Sequence, residues 1–319
     1  MKKYIFTVLV ILCIMPLNSI GSVDYYQISI PDHPGPYLVG YYRISYNVPP
    51  FGKYSATIRY PAKFNGWLTP PQSSNKTYPG IIVGNGFAGS DWNIKWIPNH
   101  LTSHGFITIC FTPPDKYLGN TTQWSYGFIG GFDKLSDENN RYLSPINGLI
   151  NIEKIGVIGL SMGGAGCIEA TGNKPLVIDA AVALAPAKSD FSESAAMNIS
   201  VPIQIQVGSD DSMVQPKRVI PYYNIHISND TIKEYLEING GNHIGYIDEF
   251  FARFAQLMGF DGDHGIEFSE QRRISSKYFT SWFYYYLKDQ NEYYPYIFGS
   301  EIINDYESGI LSKFMFHIP

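Results

Sequence analysis

The feature that most restricts the fold is an alternation, between residues 79 and 240, of short apolar stretches with segments long enough for a helix. Continuous apolar strands are typical of a sheet buried on both faces, and parallel strands need long connections. The pattern therefore indicates a mostly parallel sheet with helices on both faces. The predicted strands are 79–85, 105–111, 152–159, 179–187, 202–209 and 232–240. The predicted helices are 92–104, part of 124–144, 162–171 and 274–289.

The segment before this alternation has a different pattern. Residues 23–65 alternate loosely between apolar and polar side chains and carry turn signals at residues 33–36 and 49–50. This favours antiparallel strands at the N-terminal edge of the sheet. No linker divides residues 23–319, so we predict a single domain of the α/β class over that range.

The first residues have the layout of an export signal. Lys2 and Lys3 precede an apolar run from Tyr4 to Met15, which is shorter than a membrane span, and small residues follow at positions 19 and 21. We expect a signal peptide over residues 1–22 and a secreted or otherwise exported mature chain with no stable membrane span. An uncleaved anchor is the alternative.

Composition argues against several classes of protein. The formal net charge is −5 and basic runs are absent, so nucleic acid is not an expected partner. Hydrophobic residues make up 45% of the chain and charged residues 16%, which is typical of a globular protein. Cys110 and Cys167 are expected to be buried free thiols. No histidine–cysteine cluster has metal-site spacing, so we expect no metal and no cofactor.

Residues 159–163 form a G-x-S-x-G pentapeptide directly after the predicted strand 152–159. A serine on a tight strand-to-helix turn is exposed for nucleophilic attack, and such a turn needs neighbours that lack side chains. Gly159 and Gly163 meet that need. The context predicts Ser161 as a nucleophile, and an ordinary glycine-rich turn is the alternative.

A serine nucleophile needs a histidine base after a late strand and an acid between the two in sequence. His243 follows the predicted strand 232–240 directly, in the turn Gly-Gly-Asn-His. Asp210 and Asp211 follow the predicted strand 202–209, and the pattern Gly-x-x-Asp-x-x-Val favours Asp211. We therefore predict a Ser161–Asp211–His243 triad.

The negative charge of an acyl-transfer intermediate needs backbone N–H donors. One is expected from Met162, the residue after the nucleophile, and the other from the loop after the strand 79–85. Phe87 is the best position in that loop, because Gly86 and Gly89 let its backbone approach a substrate. An ordinary glycine turn is the alternative.

Taken together, these segments resemble the α/β-hydrolase superfamily, and within it the cutinase-like polyester hydrolases and their dienelactone-hydrolase-like relatives. The resemblance covers about residues 34–250 and rests on the elbow 159–164, the loop and helix 85–106 and the histidine loop 232–243. It implies an α/β-hydrolase fold, the triad and donors named above, and hydrolysis of carboxylic esters.

The chain departs from the family pattern at two places. Cutinase-like polyesterases carry a tryptophan after the strand that follows the nucleophile helix, where this chain has Ala187. They also end soon after the histidine, whereas this chain continues, and residues 246–270 are expected to form a lid, a pocket wall or extra packing.

The predicted function is that of a secreted serine ester hydrolase of the polyesterase type, acting on a small-molecule or polymeric ester. A lipase, a phospholipid acetylhydrolase-like enzyme, a serine peptidase and a non-catalytic binding protein are the alternatives. We expect an apolar substrate mouth, and the oligomeric state stays open. The predicted lining residues are Phe87, Met162, Ile244 and Tyr246, with Ala187 at the position of the absent tryptophan.

Overall fold

A computed structural model describes residues 29–72, 77–173 and 178–319. Within these residues, ten strands form one sheet, and helices occupy most of the connections between its parallel strands. The strands are β1 (Leu38–Val48), β2 (Gly52–Ala62), β3 (Gly66–Trp67), β4 (Tyr78–Gly84), β5 (Ile107–Thr112), β6 (Ile150–Leu160), β7 (Ala180–Leu184), β8 (Ile203–Gly208), β9 (Lys233–Ile238) and β10 (Leu311–His317). The helices are α1 (Trp96–Ser103), α2 (Thr121–Asn140), α3 (Met162–Gly172), α4 (Asp190–Ala196), α5 (Pro216–Pro221), α6 (Glu249–Leu257), α7 (Phe268–Lys288), α8 (Tyr294–Ile297) and α9 (Ser300–Glu307).

The centre of the sheet is parallel, and its order is β5, β4, β6, β7, β8, β9. β2 and β1 extend it with antiparallel pairing beyond β5, as the alternation in residues 23–65 predicts. The predicted α/β-hydrolase fold, with a mostly parallel sheet and antiparallel strands at its N-terminal edge, is confirmed. Because β6, β8 and β9 run in the same direction, the loops that follow them open at one edge of the sheet.

Helices cover both faces of the sheet. α2, α3 and α4 pack against one another, and α1 packs against α7. α7 begins earlier than predicted and buries Ile274, Tyr278 and Trp282 against the sheet. The predicted helix 92–104 is shorter in the structure, because residues 91–95 form turns before α1 begins at Trp96.

A C-terminal strand was not predicted from the sequence. β10 pairs antiparallel with β9, and Phe314 lies opposite Leu236. The strand covers an edge of β9 that would otherwise present unpaired backbone groups. Its side chains are mostly half-buried or exposed, and this gives only a weak alternation in the sequence.

The segment 246–270 contains α6, and its first residues are hydrogen-bonded to the body of the protein. Trp96 Nε1 donates to the carbonyl oxygen of Tyr246, and the Asp248 N–H donates to the carbonyl oxygen of Asn93. Arg272 Nη1 donates to the carbonyl oxygen of Ile247. The outer face of α6 is apolar and exposed, with Phe250 and Leu257 leaving 76% and 84% of their surface uncovered.

The predicted signal peptide, residues 1–22, lies outside the described residues. Among the residues that are described, none of the helices has the length and apolar character needed to cross a membrane. Cys110 and Cys167 are both buried and free, as predicted.

Candidate active site

Ser161 lies on the turn between β6 and α3, in a backbone conformation that residues other than glycine rarely adopt. Its φ is 58° and its ψ is −115°. Two glycines permit the turn: a Cβ on Gly159 would lie 2.1 Å from the carbonyl oxygen of Gly163, and a Cβ on Gly163 would lie 2.4 Å from that of Asn85. A strained backbone that persists in a packed structure is a common feature of functional sites. The pentapeptide is therefore a built strand-to-helix elbow rather than an ordinary turn.

The loop after β4 packs directly on this elbow. A Cβ on Gly86 would lie 3.2 Å from Ser161 Cβ, so only glycine allows this approach without a shift. Asn85 anchors the loop, because its Nδ2 donates to the carbonyl oxygen of Phe111 and its Oδ1 accepts from Trp124 Nε1. The ring of Phe87 is 54% exposed and meets Tyr117 edge-on, with ring centroids 6.3 Å apart.

Two backbone N–H groups beside Ser161 have no partner. Within the part of the chain that the structure describes, neither the Phe87 N–H nor the Met162 N–H donates a hydrogen bond. Backbone amides are normally satisfied when they are not in contact with water. Both groups are thus free to donate to a bound molecule.

Asp211 and His243 form a buried pair at the same edge of the sheet. Asp211 Oδ2 lies 2.8 Å from His243 Nδ1, while Asp211 Oδ1 accepts from the Val214 N–H at 2.6 Å. Asp210 instead accepts from the Ser209 hydroxyl on the surface. The structure therefore brings Asp211, and not its neighbour, to the imidazole.

The Ser161 hydroxyl and the His243 ring are not hydrogen-bonded to each other. Hydrogen bonds of this kind are often long without substrate and shorten in the complex.

The environment of His243 favours its protonated form. Burial lowers the pKa of His243, but the charge and hydrogen bond of Asp211 and the charge of Asp261 outweigh burial, so the pKa lies above its ordinary value. With Nδ1 hydrogen-bonded to Asp211, the other ring nitrogen, Nε2, is the one left to exchange a proton.

Sequence reasoning missed Asp261, which joins the histidine loop to the acid loop. Its Oδ2 accepts from the backbone N–H of His243 at 2.6 Å and from that of Ile244 at 3.2 Å. Its Oδ1 accepts from the N–H and the hydroxyl of Ser212, the residue after Asp211. Nothing in the sequence around Asp261 separates it from other loop carboxylates, because its partners lie far away along the chain.

The predicted substrate contacts are placed unevenly. Phe87 is exposed and Met162 and Ala187 are half-buried, and the Ala187 N–H donates to the carbonyl oxygen of Ser161. Ile244 is only 4% exposed and Tyr246 is fully buried. Tyr246 therefore does not line an open mouth in this structure, because the 3₁₀ turn Ile244–Tyr246 directs it into the core.

Within the residues that the structure describes, no group of three or more histidine, cysteine, aspartate or glutamate side chains is arranged to hold an ion. Asp211 and His243 are hydrogen-bonded to each other, and the Asp261 carboxylate accepts hydrogen bonds from backbone N–H groups.

The chain is similar in sequence to several curated proteins over part of its length. The sequence is 28% identical over 176 residues to the bis(hydroxyethyl) terephthalate hydrolase of Streptomyces coelicolor, covering 54% of this chain and 53% of that protein. It is 27% identical over 185 residues to cutinase 1 of Thermobifida cellulosilytica, covering 56% of this chain and 66% of that protein. It is also 27% identical over 185 residues to a cutinase of Thermobifida fusca, covering 56% and 57%.

The chain thus spans between about half and two thirds of the length of these curated relatives. The PET hydrolase-like family as a whole matches a much longer stretch, residues 27–308, which includes the elbow, both loops of the Asp211–His243 pair and Asp261. On this match, the chain belongs to the PET hydrolase-like family of α/β-hydrolases.

Proposed function

We propose that this protein is a serine carboxylic-ester hydrolase in which Ser161, His243 and Asp211 form the catalytic triad. Ser161 Oγ attacks the ester carbonyl carbon while His243 Nε2 accepts its proton. The proton then passes to the leaving alcohol as the acyl-enzyme forms. Water, deprotonated by His243, releases the carboxylic acid and restores Ser161.

One observation carries this proposal: the buried Asp211–His243 pair lies at the same edge of the sheet as the strained turn that carries Ser161. A carboxylate on Nδ1 holds the ring in the tautomer that leaves Nε2 free to accept a proton, and it stabilises the charged ring that results. Burial lowers the pKa of His243, but the charge and hydrogen bond of Asp211 stabilise the protonated ring and raise the pKa above its ordinary value.

The two unpartnered N–H groups of Phe87 and Met162 supply the oxyanion site in this proposal. A donor that is already fixed and unpaired costs little reorganisation when negative charge develops on the carbonyl oxygen. Asn85 and Gly86 hold the Phe87 donor in place, because the first is anchored to β5 and the second lies against Ser161.

We further propose that the preferred substrates are apolar esters, including aromatic polyester fragments. The support is the exposed Phe87–Tyr117 pair beside the elbow and the names of the relatives, which are cutinases and a terephthalate ester hydrolase. Ala187 stands where a polyesterase tryptophan is expected. We therefore expect flat aromatic acids to bind less tightly here than in an enzyme that carries that tryptophan. Export through residues 1–22 belongs to the same proposal, since a polymeric ester is met outside the cell.

The decisive experiment compares the purified protein with Ser161→Ala and with Ser45→Ala, a change at an exposed serine on β1. The substrates are p-nitrophenyl esters from acetate to palmitate and bis(hydroxyethyl) terephthalate, and a fluorophosphonate probe reports covalent labelling. We expect turnover and labelling in the wild type and in Ser45→Ala, and neither in Ser161→Ala. Labelling without turnover of any ester would favour a peptidase, and folded protein with neither would defeat the proposal.

A further inference from the structure

A small cavity lies between β1, β2 and the turns that lead into α1, away from the triad. Its volume is about 170 Å³. Three cationic side chains line it, Arg43 from β1, Arg59 from β2 and Lys95 from the turns before α1, together with Asp91, Trp92 and Thr57. None of these residues takes part in the ester-hydrolase proposal.

Arg59 is buried, and the carboxylates whose charges act on it, Asp91 and Asp248, form no ion pair with it. Its side chain is 7% exposed, its Nη1 has no hydrogen-bond partner, and no described residue forms an ion pair with it. Burial lowers the pKa of Arg59, but a guanidinium stays charged in proteins. An unpaired buried charge is costly, so native structures normally provide a partner for it.

The other two cations lie near one aromatic ring at the rim, that of Trp92. The Arg43 guanidinium lies 5.3 Å, and the Lys95 ammonium 5.4 Å, from the ring centroid of Trp92. Neither side chain forms an ion pair with a described residue. Their charges are met by the π face of Trp92, by solvent and, for Lys95, by the negative charge of Asp248.

Asp91 is the one carboxylate among the described residues that line the cavity, and its hydrogen bonds go to threonines instead of Arg59. Its Oδ2 accepts from the Thr57 hydroxyl, and its N–H donates to Thr112 Oγ1. Three cations and one carboxylate leave the lining with a formal charge of +2.

We propose that this cavity is a binding site for a phosphate-type oxyanion, with the Arg59 guanidinium at its base and Arg43 and Lys95 at its rim. A divalent tetrahedral anion balances the +2 lining, whereas a monocarboxylate balances half of it. Guanidinium N–H groups bind phosphate oxygens with charge-assisted hydrogen bonds. The ligand is either free inorganic phosphate or the phosphate group of a larger monoester, since the cavity opens to solvent beside Trp92.

Binding can be measured without any ester turnover, which keeps this test separate from the hydrolase proposal. Thermal unfolding and calorimetric titration of the whole protein are compared in sodium phosphate, sodium sulfate, glycerol phosphate and sodium acetate, with sodium chloride at matched ionic strength as reference. We expect phosphate and sulfate to raise the unfolding midpoint above that in chloride. A stronger effect of glycerol phosphate than of inorganic phosphate identifies a monoester as the ligand, and the reverse identifies the free ion.

Three variants locate the site. Arg59→Met removes the buried charge and should abolish the phosphate effect. Arg43→Gln, at an exposed position where folding is not at risk, should raise the phosphate dissociation constant about tenfold, as loss of one charge-assisted bond does. Lys313→Gln on β10, at the other end of the sheet, makes the same change in net charge and should leave binding unaltered.

Either of two results overturns the proposal. Equal stabilisation by acetate would show that the site does not select a phosphate-type anion. Equal stabilisation of the wild type, Arg43→Gln and Lys313→Gln would show a general salt effect, with water filling the cavity at Arg59.

Discussion

The carboxylate of Asp261 holds the backbone of His243, with Oδ2 lying 2.6 Å from the amide nitrogen. The other oxygen of the same carboxylate holds Ser212, next to Asp211. One side chain from the segment after the histidine thus sets the spacing of the two loops that carry the acid and the base. Its negative charge also raises the pKa of His243.

Asp261→Asn should lower kcat with little change in KM, because it disturbs the base and not the acyl pocket. We expect a loss of about tenfold, the effect of a displaced positioning group. The acidic limb of the kcat/KM profile should move to lower pH, because a negative charge that raises the pKa of His243 has been removed. The pH profile of hydrolysis measures both effects.

Asp263→Asn is the matched control, since it removes an exposed carboxylate two residues away. A profile of Asp261→Asn that is reduced in height at every pH but unshifted would show a purely structural role for Asp261.

Asp211→Asn should reduce kcat by roughly 10³- to 10⁴-fold, because the amide no longer favours the imidazole tautomer that accepts the serine proton. Asp210→Asn, which alters the neighbouring surface carboxylate, should retain near wild-type activity. Steady-state kinetics on p-nitrophenyl butyrate measure the difference. Equal losses in the two variants would contradict the assignment of Asp211.

The Asp211–His243 pair should also make stability depend on pH in a defined direction. The pKa of His243 is raised in the folded protein, so its stabilising contribution is complete below the unfolded value of about 6.5 and is lost as pH rises through the folded value. The stability difference between wild type and Asp211→Asn should therefore be largest at mildly acidic pH. Urea unfolding at pH 6 and pH 9 tests this, and a difference that grows with pH would refute it.

Ser161→Gly should stabilise the protein while abolishing hydrolysis. Glycine adopts a φ of 58° without the backbone strain that serine has there, which is of order 1–3 kcal/mol. Part of this gain is offset, because glycine loses more conformational entropy on folding than serine does. A net gain of about 1 kcal/mol corresponds to a rise of roughly 2 °C in Tm. Ser161→Ala keeps the Cβ and serves as the control. Calorimetry showing no advantage of glycine over alanine would mean that the elbow is unstrained.

Ala187→Trp should lower KM for bis(hydroxyethyl) terephthalate and leave KM for p-nitrophenyl acetate nearly unchanged. Ala187 is tied to Ser161 through its backbone N–H, and we expect a ring at this position to lie beside the acyl group. Aromatic stacking contributes about 0.5–1.5 kcal/mol, which is roughly a 2- to 10-fold change. Ala187→Leu adds apolar volume without a ring. A gain that leucine matches would show that bulk, not stacking, is responsible.

The sequence was informative where local patterns dictate structure. The run before Gly159 gives a buried strand, the small residues after Ser161 give a helix that packs closely, and the pattern around Asp211 selects it over Asp210. These residues determine structure through neighbours along the chain, or through the shared direction of parallel strands. The fold prediction is confirmed, while the catalytic roles stay predictions.

Features made by distant contacts were beyond sequence reasoning. Asp261 matters because three loops meet at its carboxylate, and Tyr246 is buried because its turn is bonded to Trp96. β10 is held by its backbone pairing with β9, which is distant along the chain. In the sequence, Arg59 is an ordinary strand residue. Only the fold places it in one cavity with the turns around Trp92.

The two buried thiols have a practical consequence. Burial raises the pKa of Cys110 and raises that of Cys167 to about 12, so neither reacts readily in the folded protein. We therefore expect maleimides not to label the described residues of the folded protein. A cysteine introduced at Leu257, on the exposed face of α6, becomes an addressable attachment point there, and a fluorophore at that position would report on whether the segment moves during turnover.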